Sequence, residues 1–187
     1  VAVTLPLLTR MIPHYGEDIE DLGRTLFETA PTILFTVPRY LQKFLSGIIV
    51  GMENTSPLKR VLYRGAMRVG RRHIRHVWDR RSNRLLGFFY LLVHQVVFRP
   101  ILNKVGFDQL RLCLSAGAPL PPEVMALWQI YGLNVSEFYG QTETAGAIIS
   151  SQGACFPRPG DVGVPPSGWE VRLSENGEIF VRGRDIF

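Results

Sequence analysis

Residues 110–140, LRLCLSAGAPLPPEVMALWQIYGLNVSEFYG, decide the fold. Leu110–Leu114 is a short apolar run that breaks into Ser115-Ala116-Gly117-Ala118-Pro119, a loop by composition. Pro121 and Pro122 open a helix in which Val124, Leu127, Trp128 and Tyr131 recur at i, i+3, i+4 and i+7. Gly132 ends that helix, and Leu133–Phe138 is a second strand leading into Tyr139-Gly140. Two strands joined through one helix pair in parallel by a right-handed crossover, so both end at the same sheet edge. Open α/β sheets place their ligands at that edge. The loop SAGAP and the turn FYGQTE are therefore expected to face one crevice.

Outward from this unit the pattern continues. Asp18–Ala30 reads as a helix with Ile19, Leu22, Leu26 and Phe27 on one face, stopped by Pro31. Thr32–Val37 (TILFTV) has the β-branched and aromatic character of a buried strand, and Pro38 opens a helix carrying Tyr40, Leu41, Phe44 and Leu45. Near the end, Trp169–Leu173 and Glu178–Arg182 alternate around Asn176-Gly177, a hairpin signal. The expected fold class is α/β: a sheet with flanking helices plus a β-hairpin-rich C-terminal end. The hydrophobic content of 46% excludes a disordered chain.

The net charge of +5 hides an uneven distribution. Residues 59–84 hold ten Lys or Arg against one acid, Asp79, a local net of +9 that leaves the remainder at −4. Arg60, Arg64, Arg68, Arg71, Arg72 and Arg75 recur every three or four residues of a helix expected from Pro57 to about Arg81. Leu85–Phe98 (LLGFFYLLVHQVVF) follows as an apolar helix, short of the roughly 20 residues a bilayer span needs. Such a basic run is most often a solvated helix face. A second reading is peripheral membrane contact through Arg60–Arg84. No motif accompanies the charge that would make nucleic acid the expected partner.

Cys113 and Cys155 form neither a metal spacing nor a disulfide framework, which fits a reducing, cytoplasmic setting with Cys113 packed as a small hydrophobe. Val1–Leu8 is apolar without a basic flank and does not read as a signal peptide. The absent initiator Met and the end at Arg184-Asp185-Ile186-Phe187 are expected of a piece of a longer chain.

The two loops carry a consistent chemistry. Gly117 and Ala118 leave backbone groups accessible to the edge of a flat base, and Tyr139 offers a ring face for stacking. Gly140 allows close approach of a ligand to the backbone. Thr142 supplies a hydroxyl for a phosphate oxygen, and Glu143 a hard carboxylate oxygen of the kind Mg²⁺ prefers. Each loop alone would pass for ordinary turn chemistry; the pair points to a nucleotide and metal site. Trp128, Tyr131 and Trp169 read as packing residues, while His73, His76 and His94 lie in helical patterns without a ligand partner, and His14 is isolated.

SAGAPLPPEV, EFYGQTETAG and PGDVGVPPSGWEVRLSENGEIFVRG, in that order, resemble three successive motifs of the adenylate-forming (AMP-binding) enzymes. The wording is most similar to the long-chain fatty-acid–CoA ligases, and the earlier APTILFTVPRYLQKF shares that likeness. The resemblance runs from about Glu17 to Phe187 and makes the chain an internal part of the N-terminal domain. It divides that part into a basic and apolar helical insert (57–102), a nucleotide-site segment (110–151) and a β-rich segment (157–187). It implies ATP/AMP, Mg²⁺ and coenzyme A as cofactors or co-substrates, with fatty acid, ATP and CoA as partners. Gly117, Ala118 and Pro119 match the adenine loop, Tyr139 the stacking aromatic, and Glu137 a side chain near the adenine amino group. Gly140 and Gln141 complete the cofactor-binding set. Thr142 and Glu143 match the catalytic hydroxyl and the magnesium carboxylate, and Phe138 and Gly140 the wall beside the acyl tunnel, where many relatives have Gly in place of Phe138. The implied activity is conversion of a long-chain fatty acid to acyl-AMP and then acyl-CoA. Adenylation of an aryl or amino acid, or nucleotide binding without transfer, are the alternatives. The phosphate loop, the ribose Asp and the C-terminal domain with its catalytic Lys are not among these residues, and Asp161 precedes the hairpin rather than following it, so the piece alone is expected to be inactive.

Overall fold

The computed structural model describes residues 9–15, 21–144, 150–183 and 186. Ile19 of the first expected helix and Ala145-Gly146 of the YGQTETAG motif lie outside the described residues. The elements are α1 (Leu22–Thr29), β1 (Ile33–Thr36), α2 (Pro38–Glu53), α3 (Pro57–Trp78), α4 (Arg84–Val93), α5 (Arg99–Lys104), β2 (Leu112–Ser115), α6 (Pro122–Ile130), β3 (Val135–Tyr139), β4 (Ser150–Ser151), β5 (Glu170–Leu173) and β6 (Ile179–Arg182). Three helices begin on proline, whose fixed φ and missing N–H suit the first turn.

The expected parallel pairing holds. β1, β2 and β3 lie side by side in parallel, with Leu34 opposite Cys113 and Cys113 opposite Val135, and β4 adds an antiparallel edge. This register sends Leu34, Cys113 and Val135 to one face, where Cys113 and Val135 are fully buried. Burial in that apolar face pushes the Cys113 thiol up to about 12, which leaves it an inert packing group. Ile33, Phe35, Leu112, Leu114 and Phe138 share the other face, which is half-open. The expectation of a buried first strand is thus corrected: Ile33 and Phe35 are exposed. An apolar run specifies a strand, but not how much of it is covered.

The core gathers around α6. Trp128 and Tyr131 are fully buried, and the Trp128 indole N–H donates to the Leu41 carbonyl of α2 at 3.2 Å. In α1, Leu26 is buried while Phe27 turns to the surface, so the apolar stripe is narrower than its sequence suggests.

Helices α3 and α4 form a hairpin bolted to the end of α6. The Tyr63 and Tyr131 hydroxyls share a hydrogen bond of 2.6 Å, the Trp78 indole N–H donates to Gln129 at 2.8 Å, and the Tyr90 hydroxyl donates to the Ile130 carbonyl at 3.1 Å. Gly70 makes the close approach possible: a Cβ there would sit 2.8 Å from Ile130 Cγ2 and 3.2 Å from the Phe98 ring. All six arginines from Arg60 to Arg75 on α3 are exposed, as their spacing demands. Helix α3 ends at Trp78, short of the expected Arg81, with Arg80 in the left-handed region (φ 53°).

The apolar helix is longer than expected. α4 runs through a π-helical turn, His94–Phe98, into α5, giving one continuous rod, Arg84–Lys104, of 21 residues. The expected stop before Arg99-Pro100 does not occur, because the widened turn absorbs the proline. The Arg99 N–H reaches back to the His94 carbonyl, five residues away. By length and composition the rod could cross a membrane, yet its inner face (Tyr90, Val93, Phe98, Leu102) packs on the core.

Candidate active site

The site is built where β1, β2 and β3 end. Thr36, Ser115 and Glu137 stand in register at that edge, so the loops that follow them start side by side. The Ala116 N–H donates to the Thr36 carbonyl at 3.2 Å and turns the chain out of the sheet. Gly117 follows in the left-handed region (φ 85°), which a side chain would strain. Gly117, Ala118 and Pro119 are exposed, so their backbone is accessible.

SAGAP and FYGQTE do meet at one edge, as their topology requires. Glu137 is the link: one carboxylate oxygen accepts the Leu120 backbone N–H at 2.8 Å, tying the end of the first loop to β3. The side chain is buried, and this raises its pKa. The Leu120 N–H opposes the rise, and the charge of Asp161 adds to it. The Glu137 backbone N–H is held by Gln152 Oε1 at 2.8 Å.

Beyond β3 the chain makes a single 3₁₀ turn, Thr142–Thr144. Thr144, which sequence reasoning passed over, locks it: its buried hydroxyl donates to the Gln141 carbonyl at 2.8 Å. Only its place three residues after Gln141 hinted at this. Gln141 accepts the Tyr139 hydroxyl at 3.3 Å and so steadies the half-buried ring. Thr142 and Glu143 are exposed and make no hydrogen bond or ion pair among the described residues. Phe138 points to the half-open sheet face and packs edge-on against Phe35 at 6.5 Å between centroids. Ser115, also passed over, has a buried hydroxyl with no partner at the mouth of the first loop.

Among the described residues no three His, Cys, Asp or Glu side chains gather into a metal cage. A divalent ion here would rest on Glu143 and on oxygens of its ligand, an arrangement Mg²⁺ readily accepts. Accessible backbone, a steadied aromatic ring, a free hydroxyl and a free carboxylate fit a Mg²⁺-nucleotide in donor type.

An α/β sheet with two loops converging at its strand ends is a domain of the class that places its ligand at that edge. The family model for AMP-binding enzymes matches residues 9–187, and the chain belongs to that family. Long chain acyl-CoA synthetase 6, peroxisomal, of Arabidopsis thaliana is 29% identical to it, over 94% of this chain and 26% of the relative. The long-chain-fatty-acid–CoA ligase heimdall of Drosophila melanogaster is 28% identical over 89% of this chain and 25% of the relative. Among solved structures, a benzoate CoA ligase from Burkholderia xenovorans superposes with a TM-score of 0.55 at 18% identity, covering 99% of this chain and 30% of that one. That likeness shows the fold. The chain spans less than a third of the length of each of these proteins.

Proposed function

We propose that the protein carrying this chain is an ATP-dependent acid–CoA ligase and that its acid is a long-chain fatty acid. The observation that carries the reading is the junction of the two loops through Glu137 and Leu120, with Tyr139, Thr142 and Glu143 presented beside it. The backbone of Gly117–Pro119 meets the base edge, Tyr139 stacks on the base, Thr142 donates to phosphate, and Glu143 holds magnesium. Bound magnesium supplies positive charge where negative charge develops on the phosphate. Catalysis of this kind is chiefly positioning and electrostatic stabilisation. The acid's carboxylate oxygen attacks the α-phosphorus as pyrophosphate leaves, and the CoA thiol then attacks the acyl carbon as AMP leaves. The choice of a fatty acid is supported by the names of the Arabidopsis and Drosophila relatives.

ATP–pyrophosphate exchange by the full-length protein tests this. Palmitate is expected to drive exchange, and benzoate and amino acids are not. Exchange driven by benzoate or an amino acid alone would overturn the fatty-acid reading, and no exchange with any acid would overturn the ligase reading.

A further inference from the structure

The helical hairpin carries features that the nucleotide site does not use. Leu85, Phe88, Phe89 and Leu92 recur at i, i+3, i+4 and i+7 on the rod, with Val96 one turn on, and all five side chains are exposed. Only 11% of the rod's most apolar stretch is buried. A helix apolar all round is normally covered, and exposed apolar patches of this kind mark interaction sites.

At the foot of the rod lies a cleft of ≈ 430 Å³ lined by His73, His76, Arg80, Arg81 and Arg84, and by Leu86 and Gly87 of the rod itself. The cleft is held open by the turn. Arg80 takes the left-handed conformation, the Arg81 N–H donates to the His76 carbonyl at 2.8 Å, and Asn83 caps α4 through the Leu86 N–H at 3.0 Å. Its cations are uncompensated. Asp79, the one acid in the turn, is taken by Arg158 at 3.0 Å, and Arg80, Arg81 and Arg84 have no acidic partner among the described residues.

We propose that the α3–α4 hairpin docks the protein on an anionic phospholipid bilayer, with lipid phosphate in the cleft and the Leu85–Val96 face in the headgroup region. Charge complementarity selects the occupant: a local net of +9 adjoins an apolar face, the combination that binds anionic interfaces. Spanning is ruled out by the inner face of the rod. Tyr90 and Phe98 are fastened to Ile130 and Tyr131, so the rod can lie on a bilayer without leaving the fold. The proposal does not depend on the ligase reading.

The test is co-sedimentation of the full-length protein with phosphatidylcholine vesicles, with and without phosphatidylserine, at low and high sodium chloride. Binding is expected only with phosphatidylserine and is expected to fall with salt. The triple variant Arg80→Ala, Arg81→Ala, Arg84→Ala should partition about a hundredfold more weakly, about fivefold for each cation removed. Phe88→Ser with Phe89→Ser should also weaken binding, while ATP–pyrophosphate exchange with palmitate supplied on albumin, without vesicles, stays unchanged in both. Equal binding to neutral and anionic vesicles overturns the proposal, as does undiminished binding by the arginine variant. So does a wild-type protein that ignores vesicles but forms a dimer broken by the phenylalanine pair, which would assign the face to a second copy.

Discussion

The carboxylate of Glu137 accepts the backbone N–H of Leu120 at 2.8 Å, a bond across 17 residues that joins the two loops of the site. Both residues are buried, so the bond has no solvent to replace it. Glu137→Ala leaves a buried N–H unpaired and is expected to cost about 1–3 kcal/mol in stability. Glu137→Gln keeps the acceptor and removes the buried charge. Because the folded pKa is raised above the unfolded one, the contribution of Glu137 is fully present below the unfolded carboxylate pKa and is lost as pH rises through the folded value. The Gln variant should therefore lose that decline. Urea denaturation of the full-length protein from pH 4 to 7 checks both outcomes, and equal stability of the Ala and Gln variants would refute the linking role.

Thr142 and Glu143 are exposed, and among the described residues neither makes a side-chain hydrogen bond or ion pair. Thr142→Val and Glu143→Ala should change stability by no more than about 0.5 kcal/mol, as surface substitutions usually do. Loss of a group that stabilises developing charge costs about 10²–10³ in rate. Adenylate formation by the full-length protein should fall by that factor in each variant. The magnesium concentration giving half-maximal rate should rise for Glu143→Ala and stay put for Thr142→Val. An unchanged magnesium dependence in Glu143→Ala would remove it from the metal site.

The convergence of the two loops was legible because proline, glycine and strand runs punctuate residues 110–140 so clearly, and one crossover leaves few topologies. What the residues do there was legible only in part. Glu137 reads as a ligand contact from its place in the motif; that one of its carboxylate oxygens also accepts the Leu120 N–H and ties the loops together is set by the path of the loop. Gln141 likewise turns to the Tyr139 hydroxyl. The length of the apolar rod was hidden because Pro100 normally stops a helix, and the π turn that accommodates it leaves no signature in the residues.

Two glycines of α3 should respond in opposite directions. A Cβ at Gly65 would meet nothing within 4 Å, so Gly65→Ala removes only backbone freedom and should stabilise by about 0.5–1 kcal/mol. At Gly70 the same methyl would press on Ile130 Cγ2, on the Phe98 ring and on the Ile130 carbonyl at 3.3 Å. Neither a β-branched side chain nor backbone yields easily, so Gly70→Ala should cost about 1–3 kcal/mol by overpacking. Thermal denaturation of the two variants side by side decides this. A Gly70→Ala protein as stable as Gly65→Ala would mean that the hairpin is not pressed against α6.

The hairpin also holds two half-buried histidines. The His73 ring stacks on Tyr90 at 4.1 Å, nearly parallel at 9°, and the His94 ring lies tilted against Tyr90 at 6.0 Å. Burial lowers the pKa of both, helped by the charge of His76 at His73 and of Arg99 at His94. A histidine whose folded pKa lies below its ordinary 6.5 stabilises the fold fully above that value, and the contribution is lost as pH falls, since the unfolded chain then binds more protons. Tyr90 stays protonated throughout, its pKa raised by burial, and keeps its bond to the Ile130 carbonyl. The contribution of these histidines to stability should therefore decline between neutral pH and pH 5. His73→Phe retains an aromatic ring against Tyr90 without the proton, and should lessen the decline while leaving stability at pH 7.5 within about 1.5 kcal/mol. Melting temperatures of wild type and variant across that range provide the check, and an identical acid slope in the two would show that His73 carries none of it.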